Sequence, residues 1–379
     1  MESRGKSDET LLGDALAIIY VVNPSPAPCL GWDESAAMLP RRVGGAEFGM
    51  IVVTGGAGFI GSNLVAALLE RDGTRDVVVV DRFGHDDKWR NLAKHPVAEF
   101  VEPERLMDFL VANAGAVETI YHLGASSSTT ERDVDFIIRN NFSLSLSLWR
   151  WCAEHGVPYI YASSAATYGG GENGFDDDPA PDALARLRPL NPYGWSKHLF
   201  DRRVIEMVGR GDPAPPRWSG LKFFNVYGPN EFHKAKQSSV VAQIQPRIRA
   251  GEPAVLFRSH REGIPDGGQS RDFIWVGDCV DVMLWLGETS GVSGLFNVGT
   301  GKARSFADLA TAVFDALGKT PRIEFIDTPH EIRDRYQYFT EASMDRLRAA
   351  GYPGQFTSLE EGVRRYVQDF LMQDDDPYR

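Results

Sequence analysis

Tyr193 and Lys197 stand four residues apart at the start of a stretch with helical periodicity that runs from Pro192 to Val208. That spacing places a phenol and an ammonium on one helix face. A neighbouring cation favours phenolate, so Lys197 is expected to draw the Tyr193 pKa down toward the range of a general base. Alone, the pair is better described as an amphipathic helix with a snorkelling lysine. Upstream, however, the apolar run from Tyr159 ends in Ser163-Ser164. A hydroxyl at the carboxyl end of a parallel strand lies where such sheets bind ligands, and Ser164 is placed to hold a substrate hydroxyl or the carbonyl it becomes.

These groups need a scaffold, and the stretch Ile51-Val-Val-Thr-Gly-Gly-Ala-Gly-Phe-Ile-Gly-Ser-Asn63 supplies its first unit. A β-branched run turns through glycines into the helical spacing of Leu64 to Leu69. A second apolar run, Val77 to Val80, then ends on Asp81, twenty residues after Gly61. Gly55 and Gly56 permit the sharp turn, Gly58 lets backbone N–H groups approach a pyrophosphate, and Gly61 packs helix on strand. The helix dipole faces the phosphates. This is a dinucleotide site, and Lys197 is then also within reach of a nicotinamide ribose. Asp81 by itself suits the ribose 2′-OH of NAD, whereas Arg82 and Lys88 supply the charge that the 2′-phosphate of NADP needs.

The 379 residues are 43% hydrophobic and 24% charged, which is ordinary for a globular protein. A net charge of -12 and a pI near 5.2 argue against a nucleic-acid surface or binding to an anionic membrane. Cys29, Cys152 and Cys279 form neither a disulfide framework nor a zinc spacing, which suits a reducing cytoplasm. No histidine pair has metal spacing; His122 and His155 are expected to pack or to lie at the surface. Residues 1–49 differ from the rest: an interrupted apolar run and a proline-rich stretch, too short to span a bilayer and with acidic residues where a signal peptide is cationic. They are expected to be a poorly ordered or non-native extension. Residues 50–220 then alternate strands and helices, the pattern of an α/β Rossmann-type doubly wound parallel sheet, with Asp135 to His155 as one long helix. Residues 221–379 are expected to form mainly a smaller α/β substrate-binding domain, with segments returning to the first.

Glycine fingerprint, serine, then Tyr-x-x-x-Lys in that order resembles the extended short-chain dehydrogenase/reductase family over residues 50 to about 370. Asn225-Val-Tyr-Gly-Pro229 and Arg271-Asp-Phe-Ile-Trp-Val-Gly-Asp278 are similar to its nucleotide-sugar enzymes. Gly124 to Glu131, Tyr161 to Gly170, Phe232-His-Lys234, Arg335-Tyr-Gln337 and Leu347 to Tyr352 resemble the ADP-L-glycero-D-manno-heptose 6-epimerases. That family inverts C6 of an ADP-linked heptose through a transient ketone, using tightly held NADP, on the route to lipopolysaccharide core.

The resemblance implies Tyr193 and Lys234 as two acid/bases, with Ser164 and Lys197 in support. It implies cofactor contacts at Phe59, Ile60, Asp81, Arg82, Lys88, Leu123, Gly124, Ala125, Ser126, Ser127, Asn140, Lys197, Val226 and Lys234. It implies substrate contacts at Ser164, Asn225, Lys236, Gln243, Phe257, Arg258, Ser259, His260, Arg271 and Tyr336. A homo-oligomer, a pentamer, is implied too. Lys236 and Gln243 differ from the family's usual Ser and His, and His260 to Gln269 carries an insertion. A UDP-sugar 4-epimerase or another nucleotide-sugar member of the extended family is the alternative, and a non-catalytic NADP-binding regulator a more distant one.

Overall fold

The apolar run at Met50 is a strand covered on both faces. In β1 (Met50–Thr54), Met50 and Val52 enter one core while Ile51 and Val53 enter another, so polar residues have no place in the run. The computed structural model describes residues 49–71, 75–85, 87–333, 336–373 and 375–379. It sets six more strands parallel to β1 in one sheet. β2 (Asp76–Val80) and β3 (Glu99–Val101) lie on one side. β4 (Val117–His122), β5 (Tyr159–Ser164), β6 (Trp218–Phe223) and the strand Gly294–Val298 follow on the other. The chain thus reverses its direction of winding between β1 and β4, and the crevice at their carboxyl ends is where this architecture holds ligands.

Helices close both faces. Phe59–Arg71 and Val276–Glu288 cover one with Leu64, Val65, Val280 and Met283. Leu144–His155 and Pro192–Arg210 cover the other with Leu148, Trp149, Phe200 and Val204. The helix expected over Asp135 to His155 is interrupted by a π-helical turn, Ile138–Ser143, whose extra residue rotates the side chains that follow. A third core gathers Val241, Leu256, Phe273, Val313 and Val367 from the second half of the chain and includes Phe59 from the glycine turn. Its strands are two to four residues long: Asn225–Tyr227 beside Phe273–Trp275, Ala254–Phe257 beside Ile323–Ile326, and Ser270–Arg271 beside Arg304–Ser305.

Residues 1–48, with Cys29, lie outside the described residues, as do Arg335 and the side chain of Lys236. No described helix is long and apolar enough to cross a membrane.

A Cβ built on Gly61 would stand 2.1 Å from the Gly55 carbonyl oxygen, which is backbone and has nowhere to go. Gly61→Ala is expected to cost about 3 kcal/mol, read as a lower urea midpoint at unchanged slope. Gly115→Ala, where the added carbon meets nothing within 4 Å, should leave the midpoint in place.

Candidate active site

The glycine turn is a cradle shaped by close backbone contact. Gly55 has φ +69°, and a Cβ there would lie 2.6 Å from the Gly124 nitrogen. A Cβ on Gly58 would meet only the Gly55 carbonyl, at 3.1 Å, so that side of the turn is open. The helix starting at Phe59 and Ile60 carries no acidic residue in its first turn, leaving its positive end for an anion. Asp81, at the tip of β2, accepts the Ala57 N–H at 2.9 Å and the Lys88 ammonium at 2.6 Å. Arg82 pairs with Glu104. An open phosphate cradle with a carboxylate and cations at the ribose position fits a nicotinamide dinucleotide.

The floor of the crevice is the loop from Leu123 through Gly124, Ala125 and Ser126 to Ser127. Two side chains outside it hold it. Asn141 pairs with both the N–H and the carbonyl of Ser126, at 2.8 and 2.9 Å. Its amide also reaches the Ser196 hydroxyl at 3.0 Å, and that hydroxyl donates to the Tyr193 carbonyl at 2.7 Å. Asn140, the expected contact, donates to the Phe136 carbonyl at 2.8 Å and is half-buried. The two asparagines sit in the π-helical turn. Asn141 therefore couples the Ser126 loop to the helix of Tyr193, and only the Asn-Asn doublet signalled it.

His122 is the second support. Ser145 donates to the Asn141 carbonyl at 2.8 Å, leaving its oxygen to accept from His122 Nε2–H, also at 2.8 Å. Nδ1 then accepts from Thr54 at 2.7 Å, and the Thr54 oxygen takes the Gly124 N–H at 3.1 Å. Burial pushes the His122 pKa down to about 3, with the Lys197 charge acting the same way. The ring is a neutral spacer of fixed tautomer.

Ser164, Tyr193 and Lys197 converge at the end of β5. Ser164 accepts the Ala166 N–H at 3.1 Å, and its hydroxyl lies where it favours the Tyr193 phenolate. Lys197 donates to the Ala162 carbonyl at 2.8 Å, and burial brings its pKa down to about 8 against a smaller upward pull from Asp201. The expectation for Tyr193 is corrected here. Desolvation holds its pKa above the ordinary value, with Ser164 pulling down, because the Lys197 ammonium is engaged on β5 rather than on the phenol. Beneath them lies an ion pair with no exposure, Asp201 with Lys222 at 2.7 Å. The Asp201 carboxylate also accepts from Ser163 at 2.7 Å and Tyr161 at 3.1 Å. Sequence reasoning did not single out this pair.

Lys234 comes from a separate segment, Phe232–Gln237, and its ammonium lies 5.2 Å from the centroid of the Phe59 ring in the glycine turn. Burial lowers its pKa, and Glu231 opposes that. Val226 is half-buried against the third core, while Asn225 is exposed. Gln243 bonds the Ser238 carbonyl at 2.7 Å. Arg271 is held between the rings of Phe306 and Tyr336, each 5.6 Å away, and Tyr336 meets Phe257 edge-to-face. Arg258, Ser259 and His260 continue from Phe257, with the Ser259 N–H on Asp266 at 2.8 Å and the His260 N–H on the Tyr338 hydroxyl at 3.0 Å. Gln337, between Tyr336 and Tyr338, donates to the Gly169 carbonyl at 2.8 Å and accepts from Arg271 through its own carbonyl. It joins this aromatic and cationic cluster to the turn that follows Ser164. Among the described residues no group of three or more His, Cys, Asp or Glu is placed to hold a metal ion.

A dinucleotide crevice with serine, tyrosine and lysine at its mouth defines a nicotinamide-dependent enzyme of the extended short-chain type. A model of the NAD dependent epimerase/dehydratase family matches residues 51–299. The ADP-L-glycero-D-manno-heptose-6-epimerase of Fusobacterium nucleatum is 45% identical over 334 residues, 86% of this chain and 99% of that protein. That of Nitratidesulfovibrio vulgaris strain DP4 is 49% identical over 324 residues, 85% and 98% respectively. Among solved structures, the Helicobacter pylori ADP-L-glycero-D-manno-heptose-6-epimerase superposes with a TM-score of 0.69 at 27% identity, covering 85% of this chain and 96% of that one. A Thermus thermophilus UDP-glucose 4-epimerase solved with NAD gives 0.63 at 28% identity, covering 83% and 96%. The chain belongs to the NAD dependent epimerase/dehydratase family, on the branch of the ADP-L-glycero-D-manno-heptose-6-epimerases.

The folded protein holds the Lys197 proton less tightly than the unfolded chain, where lysine titrates near 10.5. This side chain therefore contributes stability that grows as pH rises from about 8 toward 10.5. Comparing urea unfolding at about pH 7.5 and about pH 9.5, wild type should gain more stability than Lys197→Met.

Proposed function

We propose that this chain inverts C6 of the heptose in ADP-D-glycero-D-manno-heptose to give the L-glycero epimer, a precursor of lipopolysaccharide core, with NADP as its resident cofactor. The observation that carries this reading is a further ammonium, the half-buried Lys234, lying over Phe59 at the glycine turn on a segment separate from the Tyr193 helix. A 4-epimerase, whose keto sugar can flip whole, does not require it.

When bound, the nicotinamide supplies reversible two-electron oxidation of the carbinol carbon. The protein's share is proton transfer and positioning. Ser164 hydrogen-bonds the substrate oxygen, and Tyr193 takes or returns its proton. C6 lies outside the sugar ring, so rotation about C5–C6 turns the ketone over while the ADP stays in place. Lys234 then serves the second orientation, its lowered pKa suiting exchange of a proton. Arg271, clamped between two rings, is the cation for the diphosphate.

NADP over NAD is supported by the state of Asp81. One carboxylate oxygen is engaged by the Ala57 N–H and the other by Lys88, which offsets the charge that would repel a 2′-phosphate. The reading also includes a homo-oligomer in the cytoplasm, on the strength of family membership.

Incubating the purified protein separately with ADP-D-glycero-D-manno-heptose and UDP-galactose, with products read by NMR, tests the substrate; conversion of the second alone defeats it. Tyr193→Phe should keep cofactor binding while epimerisation falls by about a thousandfold. Lys234→Met should block inversion, and Lys234→Arg should stay poor. A Lys234→Met enzyme that loses affinity but turns over normally would make this a binding residue.

A further inference from the structure

The segment carrying Lys234 is under backbone strain. Asn230 and Ala235, at φ +72° and +46°, are the non-glycine residues with positive φ among those described. Such conformations persist only where the surroundings over-determine them. Part of that restraint is internal: buried Glu231 accepts the Ser239 N–H and hydroxyl, each at 2.5 Å. The Asn230 amide reaches the Ser62 hydroxyl at 3.0 Å, and Asn91 lies 3.2 Å from His233 while bonding the Ala57 carbonyl.

A further restraint comes from residues 376–379, far away in sequence. The Arg379 N–H donates to the Asn230 side-chain oxygen at 3.0 Å. Tyr378 is 9% exposed, and its ring meets Phe232 edge-to-face at 5.3 Å. Both residues are themselves tied down. Lys94 donates to the Tyr378 carbonyl at 2.5 Å and pairs with Asp376 at 2.8 Å, and the Arg379 guanidinium pairs with Glu70 at 2.9 Å. The strap thus spans from the first helix and the segment after Lys88 onto Asn230 and Phe232, two to four residues before Lys234.

We propose that residues 376–379 are a positioning strap, with the Tyr378 ring and the Arg379 backbone N–H holding the Lys234 segment against the glycine turn. The catalytic consequence rests on the role given to Lys234 above; the strap itself rests only on these contacts.

Four full-length variants test it. Tyr378→Ala removes the ring, and Arg379→Pro removes the backbone donor, which Arg379→Ala retains. In Tyr378→Ala and Arg379→Pro, amide exchange across Phe232–Ser238 should quicken about tenfold, with kcat down about tenfold and KM within about twofold. Tyr378→Phe should restore both, and Arg379→Ala should exchange more slowly than Arg379→Pro. Wild-type exchange in that segment, or a rise spread uniformly over the protein with a lower urea midpoint, overturns the strap. So does faster local exchange with unchanged kcat while Lys234→Met is inactive. Should Lys234→Met prove fully active, the reading of Lys234 fails, and local exchange alone decides the strap.

Discussion

Two charges without access to water, Asp201 and Lys222, underlie the catalytic groove. Withdrawing such a pair from solvent costs several kcal/mol per ion, and their attraction offsets this only when the other donors and acceptors are satisfied. Here the carboxylate takes Lys222, Ser163 and Tyr161, while the ammonium also reaches Thr167 and lies over the Tyr168 ring. The participants come from β5, β6, the turn after Ser164 and the helix of Tyr193. Asp201 is one helical turn beyond Lys197, and Ser163 is the neighbour of Ser164. The serine and lysine at the mouth of the crevice inherit their places from charges buried beneath them.

How much of this was legible in the sequence follows from the range of the forces involved. The glycine turn, Asp81, Ser164, Tyr193 and Lys197 are readable because each demand is local: a φ, a close approach, a helix face. The apolar strands of the sheet are readable because burial on both faces leaves a continuous run. Asn141 is not, since a single π turn decides whether it or Asn140 faces the Ser126 loop. The Tyr193 pKa escaped for a similar reason. Sequence spacing places Lys197 on the right face but does not show that its ammonium reaches the Ala162 carbonyl. The paired strands of the second half are two to four residues long, below the length at which periodicity means anything.

The two halves of the chain are interleaved by chemistry as much as by topology. Phe59 belongs to the glycine turn yet packs into the core of the second half, and it carries the Lys234 ammonium on its ring. Gln337 ties the Arg271 cluster to the turn after Ser164. The glycine turn, the Lys234 segment and the Arg271 cluster are thereby referenced to one frame.

The neutral imidazole under the crevice has a consequence of its own. A histidine that titrates near 3 carries no charge from mildly acid to alkaline conditions, so the chain from Thr54 through His122 and Ser145 to Asn141 keeps a single polarity throughout. Acidification of the surroundings leaves this spine electrically silent.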